Sequence, residues 1–337
     1  MDVLVFSARP YDETYLGAAN TSGRHTLHFS DSTLTSETAV LAKGYEAVCC
    51  FVDDRLCADV LKRLSDGGTR LVLLRATGYN NVDLAAAERF GITVMRVREY
   101  SAQAVAEFAV GLILALNRKI HRAYNRVREG NFRLDGLLGF DLHGKTVGVV
   151  GVGKIGLAFS RIMAGFGCKL LAYDPFPNPD AEALGTVYVD FEQLLAQSHI
   201  VSLHSPLTPE TQHLINESTL SRMRRGAMLI NTSRGALVDA SALIDALKKQ
   251  HLGAVGLDVY EEESDLYFQD LSDTFIPDDI FTRLLSFPNV IVTGHQAFFT
   301  HEALTEIAQT TLNNLDDFLV GRVNENVLDV GLIGSPK

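Results

Sequence analysis

Cysteine is scarce in this sequence, and its four copies are not arranged to bind a metal. Cys49 and Cys50 are adjacent inside an apolar, strand-like run. Together with Cys57 and Cys168 they form neither a C-x-x-C pair nor a cluster with histidine at the spacing of zinc ligands. We therefore expect Cys49 and Cys50 to be buried free thiols, and no metal site.

Long apolar runs are also missing. The longest, Ala109–Leu116, is too short to span a bilayer. The first residues enter a strand-like run, Val3–Phe6, without the basic and apolar regions of a signal peptide. We therefore expect no membrane association and a location in the reducing cytoplasm.

Positive charge is in deficit, because 30 Lys and Arg residues face 41 Asp and Glu residues and leave a formal net charge of −11. Nucleic acids and anionic membranes select basic surfaces, so neither is expected as a partner. An anionic small molecule would have to be attracted by local positive charge. The length of 337 residues predicts two domains, each able to bury a sizeable core.

The chain contains a glycine-rich motif in the setting that a dinucleotide requires. A β-branched run, Thr146–Val150, predicts a buried strand, and apolar spacing over Ile155–Phe166 predicts a helix. Between them, Gly151 permits a tight turn, Gly153 lets the backbone approach a pyrophosphate, and Gly156 lets helix and strand pack closely. The helix N-terminus then offers N–H groups and a positive dipole end to the phosphates.

An acidic residue follows the next predicted strand at the position expected for ribose recognition. Asp174 ends the run Lys169–Tyr173, about 20 residues after the glycines. A carboxylate accepts hydrogen bonds from ribose hydroxyls and repels a 2′-phosphate, so NAD is expected rather than NADP. The candidate cofactor-binding residues of this unit are Gly151, Gly153, Lys154, Ile155, Gly156 and Asp174.

Strand-like and helix-like segments alternate on both sides of this motif, which predicts an α/β protein with two doubly wound parallel sheets and a cleft between them. Residues 1–99 form a separate unit ahead of the nucleotide fold, and the last helix is expected to return to it. The predicted domains are therefore 1–99 with 299–337 for the substrate, and 100–298 for NAD. Ser101 is predicted to cap one long helix that runs to about Arg128.

Polar residues follow several predicted strands, where the ligands of parallel sheets bind. Arg234 follows an apolar strand, and its planar guanidinium suits a carboxylate. His295 and His204 occupy comparable strand ends, so spacing does not show which one transfers protons. Composition likewise does not show which residue of Glu261–Glu263 points inward. In the first unit the loop of residues 75–79 follows a predicted strand and is a candidate ligand-binding loop.

The order Arg234, Glu263, His295 together with the late glycine motif resembles the D-2-hydroxyacid dehydrogenases over nearly the whole chain. Within that family the likeness is greatest to the fermentative D-lactate dehydrogenases. The stretches that carry the resemblance are Arg75–Asp83, Asn231–Gly235, Asp258–Phe268 and Thr293–Phe298. It implies a flavodoxin-like catalytic domain and a Rossmann NAD-binding domain.

The resemblance also implies roles for individual residues. Arg234 holds the substrate carboxylate, His295 exchanges the proton at the 2-oxygen, and Glu263 pairs with His295. The resemblance also implies that Thr232 and Asp258 lie along the cofactor and that Arg75, Tyr100 and Phe298 shape the substrate pocket. The further candidates for the cofactor, from the same strand-end loops, are His204, Ser205, Pro206 and Ser233. The further candidates for the substrate, from the loop that contains Arg75, are Thr77, Gly78 and Tyr79.

The expected activity is the reversible NADH-dependent reduction of pyruvate to D-lactate by a homodimer or homotetramer. One alternative is a pocket for bulkier 2-oxo acids such as phenylpyruvate. Another is a non-enzymatic NAD-sensing corepressor, which shares the fold and the Arg–Glu–His set. Arg98 and Ala102 stand where related sequences often carry proline, which implies a looser hinge and a different pocket entrance.

Overall fold

The computed structural model describes residues 1–263 and 266–329 of the chain. It divides into two compact units, Met1–Ser101 with Phe299–Lys337, and Ala102–Phe298. The first division therefore falls two residues later than the sequence suggested. Ser264 and Asp265, which belong to the stretch typical of the lactate branch, lie outside the described residues.

Strands and helices alternate through both units. The strands are β1 (Asp2–Val5), β2 (Thr26–Phe29), β3 (Ala47–Cys50), β4 (Leu71–Leu74), β5 (Thr93–Arg96), β6 (Thr146–Val150), β7 (Lys169–Tyr173), β8 (Val187–Tyr188), β9 (Ile200–Leu203), β10 (Met228–Asn231), β11 (Ala254–Leu257), β12 (Val290–Val292) and β13 (Val327–Leu328). The α-helices are α1 (Pro10–Ala19), α2 (Ala58–Asp66), α3 (Leu84–Arg89), α4 (Ala102–Arg118), α5 (Ile120–Arg128), α6 (Lys154–Gly165), α7 (Pro179–Glu182), α8 (Phe191–Gln197), α9 (Glu217–Arg222), α10 (Ala240–Lys248), α11 (Asp279–Leu285) and α12 (His301–Leu319).

The sheet of the first unit has the order β2-β1-β3-β4-β5-β13. Its first five strands are parallel, and β13 is antiparallel to β5. This is the flavodoxin-like order with one added edge strand. The inner strands β3 and β4 are apolar and buried throughout. Helix α12 packs Ala308, Leu312 and Leu315 against one face of the sheet. The edge strand β2 was not predicted, because its residues are half-exposed or exposed and form no apolar run.

The sheet of the second unit has the order β12-β11-β10-β9-β6-β7-β8, and all its strands are parallel. Separate apolar clusters cover its two faces. Chain order reverses between β6 and β9, and ligands of such sheets bind beyond the strand ends at this point. The two sheets confirm the predicted α/β class and the Rossmann topology of the second unit.

The prediction of one long helix from Ser101 to about Arg128 was wrong, because the chain breaks between α4 and α5. Lys119 has a left-handed backbone with φ of 49° and serves as the N-cap of α5. The side chain of Asn117 donates to the Phe140 carbonyl at 2.7 Å and accepts from its N–H at 2.9 Å. These bonds fasten the loop after α5 to the end of α4, where a straight helix would continue.

A buried carboxyl group lies between the strand ends of the first unit. Asp54 has no exposed surface, and its oxygens accept from the Ser7 hydroxyl at 2.8 Å and from the N–H groups of Leu34 and Phe51 at 2.6 Å. Burial raises the pKa of Asp54 to about 6, although Arg75 and these hydrogen bonds act in the opposite direction. The folded first unit therefore binds a proton that the unfolded chain releases at lower pH.

This raised pKa predicts that the wild type loses stability as the pH rises. Asp54 favours the folded state while the folded carboxyl stays protonated, and this contribution disappears as the pH passes 6. Between pH 4.5 and 7.5 the loss is about 2 kcal/mol, at roughly 1.4 kcal/mol per pKa unit. Asp54→Asn removes the titrating group, so its free energy of unfolding should fall less over that range. Urea unfolding followed by circular dichroism measures both proteins, with the exposed Asp31→Asn as control. Parallel pH profiles for wild type and Asp54→Asn would contradict the assignment.

Candidate active site

The three glycines of the nucleotide motif have different surroundings. Gly151 has a φ of +88°, and a Cβ there would lie 2.8 Å from the backbone of His204. A Cβ on Gly156 would lie 2.0 Å from the carbonyl oxygen of Gly151. Around Gly153, by contrast, a Cβ would meet no atom within 4 Å. The first and third glycines are required by packing, whereas the second leaves open space at the N-terminus of α6, beside Lys154 and Ile155. This arrangement fits a pyrophosphate.

Asp174 is fixed against the nucleotide motif by main-chain hydrogen bonds. Its Oδ2 accepts from the Val152 N–H at 2.7 Å, and its Oδ1 accepts from the Phe176 N–H at 2.8 Å. Asn178 donates to the Val152 carbonyl at 3.1 Å and supports the same turn. Each carboxylate oxygen keeps a second lone pair for a ribose hydroxyl.

His204 lines the loop after β9 as a neutral side chain. The backbone N–H of His204 donates to the Val150 carbonyl at 2.7 Å. In its side chain, Nε2 lies 2.9 Å from the Ser202 hydroxyl, and the ring packs on Phe159. Burial lowers the pKa of His204 to about 3, so the ring is neutral near neutral pH. His295, unlike His204, has a carboxylate partner in Glu263, and this contact separates the two histidines that strand-end spacing did not. Ser205 donates to Val150 at 3.2 Å, and Pro206 follows it.

Two buried polar atoms at these strand ends find no hydrogen-bond partner among the described residues. They are Nδ1 of His204 and the hydroxyl of Thr232, which follow β9 and β10. Buried polar groups are almost always paired, so such atoms indicate a ligand or water. Their position supports the same cofactor groove as the glycine motif.

Arg234 sits on a loop that side-chain hydrogen bonds hold in place. Asn231, the last residue of β10, donates to the Arg234 carbonyl at 2.8 Å and accepts from the Ser233 N–H at 3.0 Å. The Ser233 hydroxyl donates to the Leu203 carbonyl at 2.9 Å. Among the described residues the Arg234 guanidinium has no carboxylate within 4 Å, and its Nη1 donates a hydrogen bond to the Ser233 carbonyl at 2.7 Å. It retains donors for an external carboxylate.

His295 and Glu263 form a direct pair. Nδ1 of His295 lies 2.8 Å from Oε1 of Glu263, and Oε2 of Glu263 accepts from the Tyr260 N–H at 2.9 Å. This orientation leaves Nε2 as the ring nitrogen that can face a substrate. Of the other two glutamates, Glu261 pairs with His213 and Glu262 is exposed. The structure thus distinguishes Glu261, Glu262 and Glu263 by their partners and exposure, which composition did not.

Asp258 supports the His295 loop. Its side chain is fully buried and accepts from the Thr293 hydroxyl and from the N–H groups of Gln296, at 3.0 Å, and Ala297, at 2.8 Å. Burial raises the pKa of Asp258, although these hydrogen bonds act in the opposite direction. The Asp258 carboxylate thus holds the turn that carries His295, and the expectation that Asp258 lies along the cofactor stays a prediction.

Arg75 was expected to shape the substrate pocket, which stays a prediction, and its side chain is bonded inside the first unit. The side chain is buried, its Nε pairs with Asp12 at 3.0 Å, and its Nη2 donates to the carbonyls of Phe6 and Ser7 at 2.9 Å. The guanidinium is thus used inside the first unit and joins the ends of β1 and β4. Its role in this structure is to support the strand-end loop.

The remaining substrate candidates lie at different depths. Thr77, Gly78 and Tyr79 are half-buried on the loop after β4, where Arg96 donates to the Thr77 carbonyl at 2.7 Å and its guanidinium lies 4.9 Å from the centre of the Tyr79 ring. Tyr100 is half-buried in the first unit, and Phe298 is buried in the second.

The sequence analysis assigned no site role to two further residues, Phe268 beside His295 and His213 beside Glu261. Phe268 has a φ of 62°, rare for a bulky residue, and its ring centre lies 6.1 Å from that of His295. His213 pairs with Glu261, 48 positions away. Phe268 ends the stretch typical of the lactate branch, which could have marked it, whereas no local pattern distinguished His213 from an ordinary polar position.

Other classes of site are not found in the part of the chain that the structure describes. Among those residues no group of three or more His, Cys, Asp or Glu side chains could hold a metal ion. No described helix has the length and apolar composition needed to cross a bilayer.

Comparison with known proteins gives a consistent result. Residues 110–297 match the family model described as D-isomer specific 2-hydroxyacid dehydrogenase, NAD binding domain. The D-lactate dehydrogenase kk1H of Curvularia clavata is 56% identical over 335 residues, which cover 98% of this chain and 96% of that protein. The apo structure of D-lactate dehydrogenase from Escherichia coli is 49% identical with a TM-score of 0.90, covering 97% and 100% of the two chains. A structure described as the pyruvate reductase of Chlamydomonas reinhardtii is 45% identical with a TM-score of 0.92, covering 97% and 98%.

The chain therefore belongs to the D-isomer specific 2-hydroxyacid dehydrogenases and is an NAD-dependent oxidoreductase. This confirms the family expected from the sequence and the choice of NAD. It also favours an enzyme over the non-enzymatic corepressor.

The glycine motif predicts opposite effects for two alanine substitutions. Gly153→Ala places its methyl group in open space with an ordinary φ of −70°, so it should leave stability nearly unchanged and weaken NADH binding about tenfold or more. Gly156→Ala forces its methyl group against Gly151 and should destabilise the fold by roughly 1–3 kcal/mol. NADH fluorescence titration and thermal unfolding measure the two effects. NADH affinity for Gly153→Ala within twofold of wild type would exclude this approach of the pyrophosphate.

Proposed function

We propose that this protein catalyses the reversible reduction of pyruvate to D-lactate with NADH. The observation that carries the proposal is the His295–Glu263 pair, beside an arginine loop whose guanidinium lacks a carboxylate partner among the described residues. The D-lactate dehydrogenases and the pyruvate reductase that resemble the chain support the choice of substrate.

Arg234 binds the substrate carboxylate in this proposal. A guanidinium presents two parallel N–H donors to a carboxylate and remains charged at any working pH. The chain carries a net charge of −11, so this local cation is what attracts an anionic acid. Once the carboxylate is fixed, the 2-oxo group has a defined direction.

His295 donates the proton to the 2-oxygen through Nε2. Its protonated ring and Arg234 both stabilise the negative charge that develops on that oxygen, so they favour the transition state over the ground state. Glu263 accepts from Nδ1, orients the ring and stabilises its charged form. In the oxidation of D-lactate the neutral ring takes the proton back.

NADH, when bound at the glycine motif, supplies the hydride for the 2-carbon. We propose that Asp174 accepts from the ribose hydroxyls and that Lys154 and Ile155 present the first turn of α6 to the phosphates. His204, Ser205, Pro206, Thr232 and Ser233 line the adjacent strand ends. Thr77, Gly78, Tyr79, Tyr100 and Phe298 are proposed to shape the substrate pocket.

Substitution of the two cationic groups tests the mechanism. His295→Ala removes the proton donor and Arg234→Ala the carboxylate partner, so each should lower kcat/KM for pyruvate roughly 10²–10⁴-fold while NADH binding stays near normal. NADH oxidation measured at 340 nm gives the rates, and the exposed Arg225→Ala serves as control. A loss below about tenfold for either variant would contradict its assigned role.

The same assay with other 2-oxo acids tests the substrate. The wild type should prefer pyruvate, and D-lactate rather than L-lactate should support the reverse reaction. A higher kcat/KM for phenylpyruvate or a branched 2-oxo acid would instead establish the larger pocket.

We also propose that the chain forms a homodimer or homotetramer through α5 and the loop after it. This segment exposes more than half of six large apolar side chains, which are Ile120, Tyr124, Val127, Phe132, Leu134 and Leu138. Exposed apolar clusters of this kind mark interfaces. Residues 118–141 also hold six Lys and Arg against three Asp and Glu, whereas the whole chain is acidic, so a second copy offers complementary charge.

Replacement of apolar side chains in this segment should weaken the assembly. Leu134→Asp with Leu138→Asp places carboxylates on the apolar cluster, so the mass should shift toward that of one chain of 36.9 kDa. Sedimentation equilibrium measures the mass, and Leu319→Asp, an exposed position on α12, is the control. An unchanged oligomer in the double variant, or a monomeric wild type, would refute the proposal.

A further inference from the structure

His213 and Glu261 form a second histidine–glutamate pair, and Glu261 lies two residues before Glu263 in the sequence. Nε2 of His213 lies 2.7 Å from Oε1 of Glu261, and both side chains are about one-third exposed. His213 belongs to the segment between β9 and α9, and Glu261 follows β11. The pair therefore joins two of the loops that surround the candidate active site.

The backbone of Tyr260 and Glu261 is packed directly against the arginine loop. A Cβ on Gly235, the residue after Arg234, would lie 2.0 Å from the Tyr260 carbonyl carbon and 2.3 Å from the Glu261 nitrogen. With no space between them, a displacement of residues 260–261 moves Gly235 and with it Arg234.

The backbone of Tyr260 also holds the side chain of Glu263. The Tyr260 N–H donates to Oε2 of Glu263 at 2.9 Å, and Oε1 of Glu263 holds Nδ1 of His295 at 2.8 Å. The backbone at 260–261 is thus the common support of the carboxylate-binding arginine and of the acid that orients the histidine.

His213 is itself held in an unusual conformation. Its φ is 49°, in the left-handed region that is unfavourable for a residue with a Cβ. Its N–H donates to the Ala236 carbonyl at 2.8 Å, and its carbonyl accepts from the Asn216 side chain at 2.9 Å. Such conformations persist where surrounding contacts fix them, and here they direct the ring to Glu261.

We infer that His213 and Glu261 are positioning residues, whose ion pair or hydrogen bond fixes residues 260–261 and thereby aligns Arg234 and Glu263. The inference rests on the proposed function, because it assigns the pair a part in binding and reducing the 2-oxo acid. The pair itself does not touch substrate or cofactor in this account.

Kinetics of a matched set of variants test the pair. Glu261→Ala removes the link, Glu261→Gln keeps an acceptor of the same shape, and Glu262→Ala removes an exposed neighbouring carboxylate. We expect Glu261→Ala to lower kcat/KM for pyruvate about 10- to 100-fold, the range that misplacement of catalytic groups produces, with a raised KM. NADH dissociation constants should stay within about twofold, because the glycine motif is unaffected. Glu261→Gln should recover most of the loss, and Glu262→Ala should behave as wild type.

A double-mutant cycle separates positioning from a general loss of structure. His213→Asn keeps a residue that tolerates the left-handed backbone but is too short to reach Glu261, so in combination with Glu261→Ala it should cost no more than the single change. Additive losses, or equal effects of Glu261→Ala and Glu262→Ala, would overturn the inference while leaving the proposed function intact. A wild type that reduces no 2-oxo acid would overturn both.

Discussion

The hydrogen bonds to the buried Asp258 carboxylate are the constraint on which the histidine site depends. They hold the turn from Thr293 to Ala297, and the Asp258 carbonyl accepts the His295 N–H at 2.7 Å. His295 has a φ of 50°, which an unsupported turn would not maintain. A buried carboxylate that has lost its donors would be costly, so turn and acid stabilise each other. The imidazole is thus held in one position by the fold, and in the proposed mechanism a proton donor fixed in this way avoids reorganisation during the reaction.

The parallel sheet explains why residues far apart in the sequence meet. Asn231 ends β10, and Asp258 and Thr293 follow β11 and β12, which are three adjacent parallel strands. Each strand end begins a loop, and side chains bind the loops together. Asn231 fastens the Arg234 loop, Asp258 fastens the His295 loop, and Gly235 allows the loop after β10 to rest on the one after β11.

Much of this arrangement could be predicted from local patterns, because a glycine turn, a strand and a terminal aspartate are determined by near neighbours. Burial could not. Arg75 and Arg234 both follow apolar strands, yet one is neutralised by Asp12 inside its unit and the other has no carboxylate partner within the described ranges. His204 and His295 also occupy similar strand ends, and only their enclosure and partners separate them. The break at Lys119 depended on a side-chain bond from Asn117 to a residue 23 positions away, which no helical periodicity records.

The open guanidinium of Arg234 has a consequence for the medium around the protein. A cation with no carboxylate partner among the described residues attracts halides and simple carboxylates as well as the proposed substrate. Charge alone therefore does not distinguish a 2-oxo acid from chloride or acetate. In the proposed mechanism the distinction is made by the His295 imidazole, whose N–H donates to an oxygen at the 2-position that a plain anion lacks.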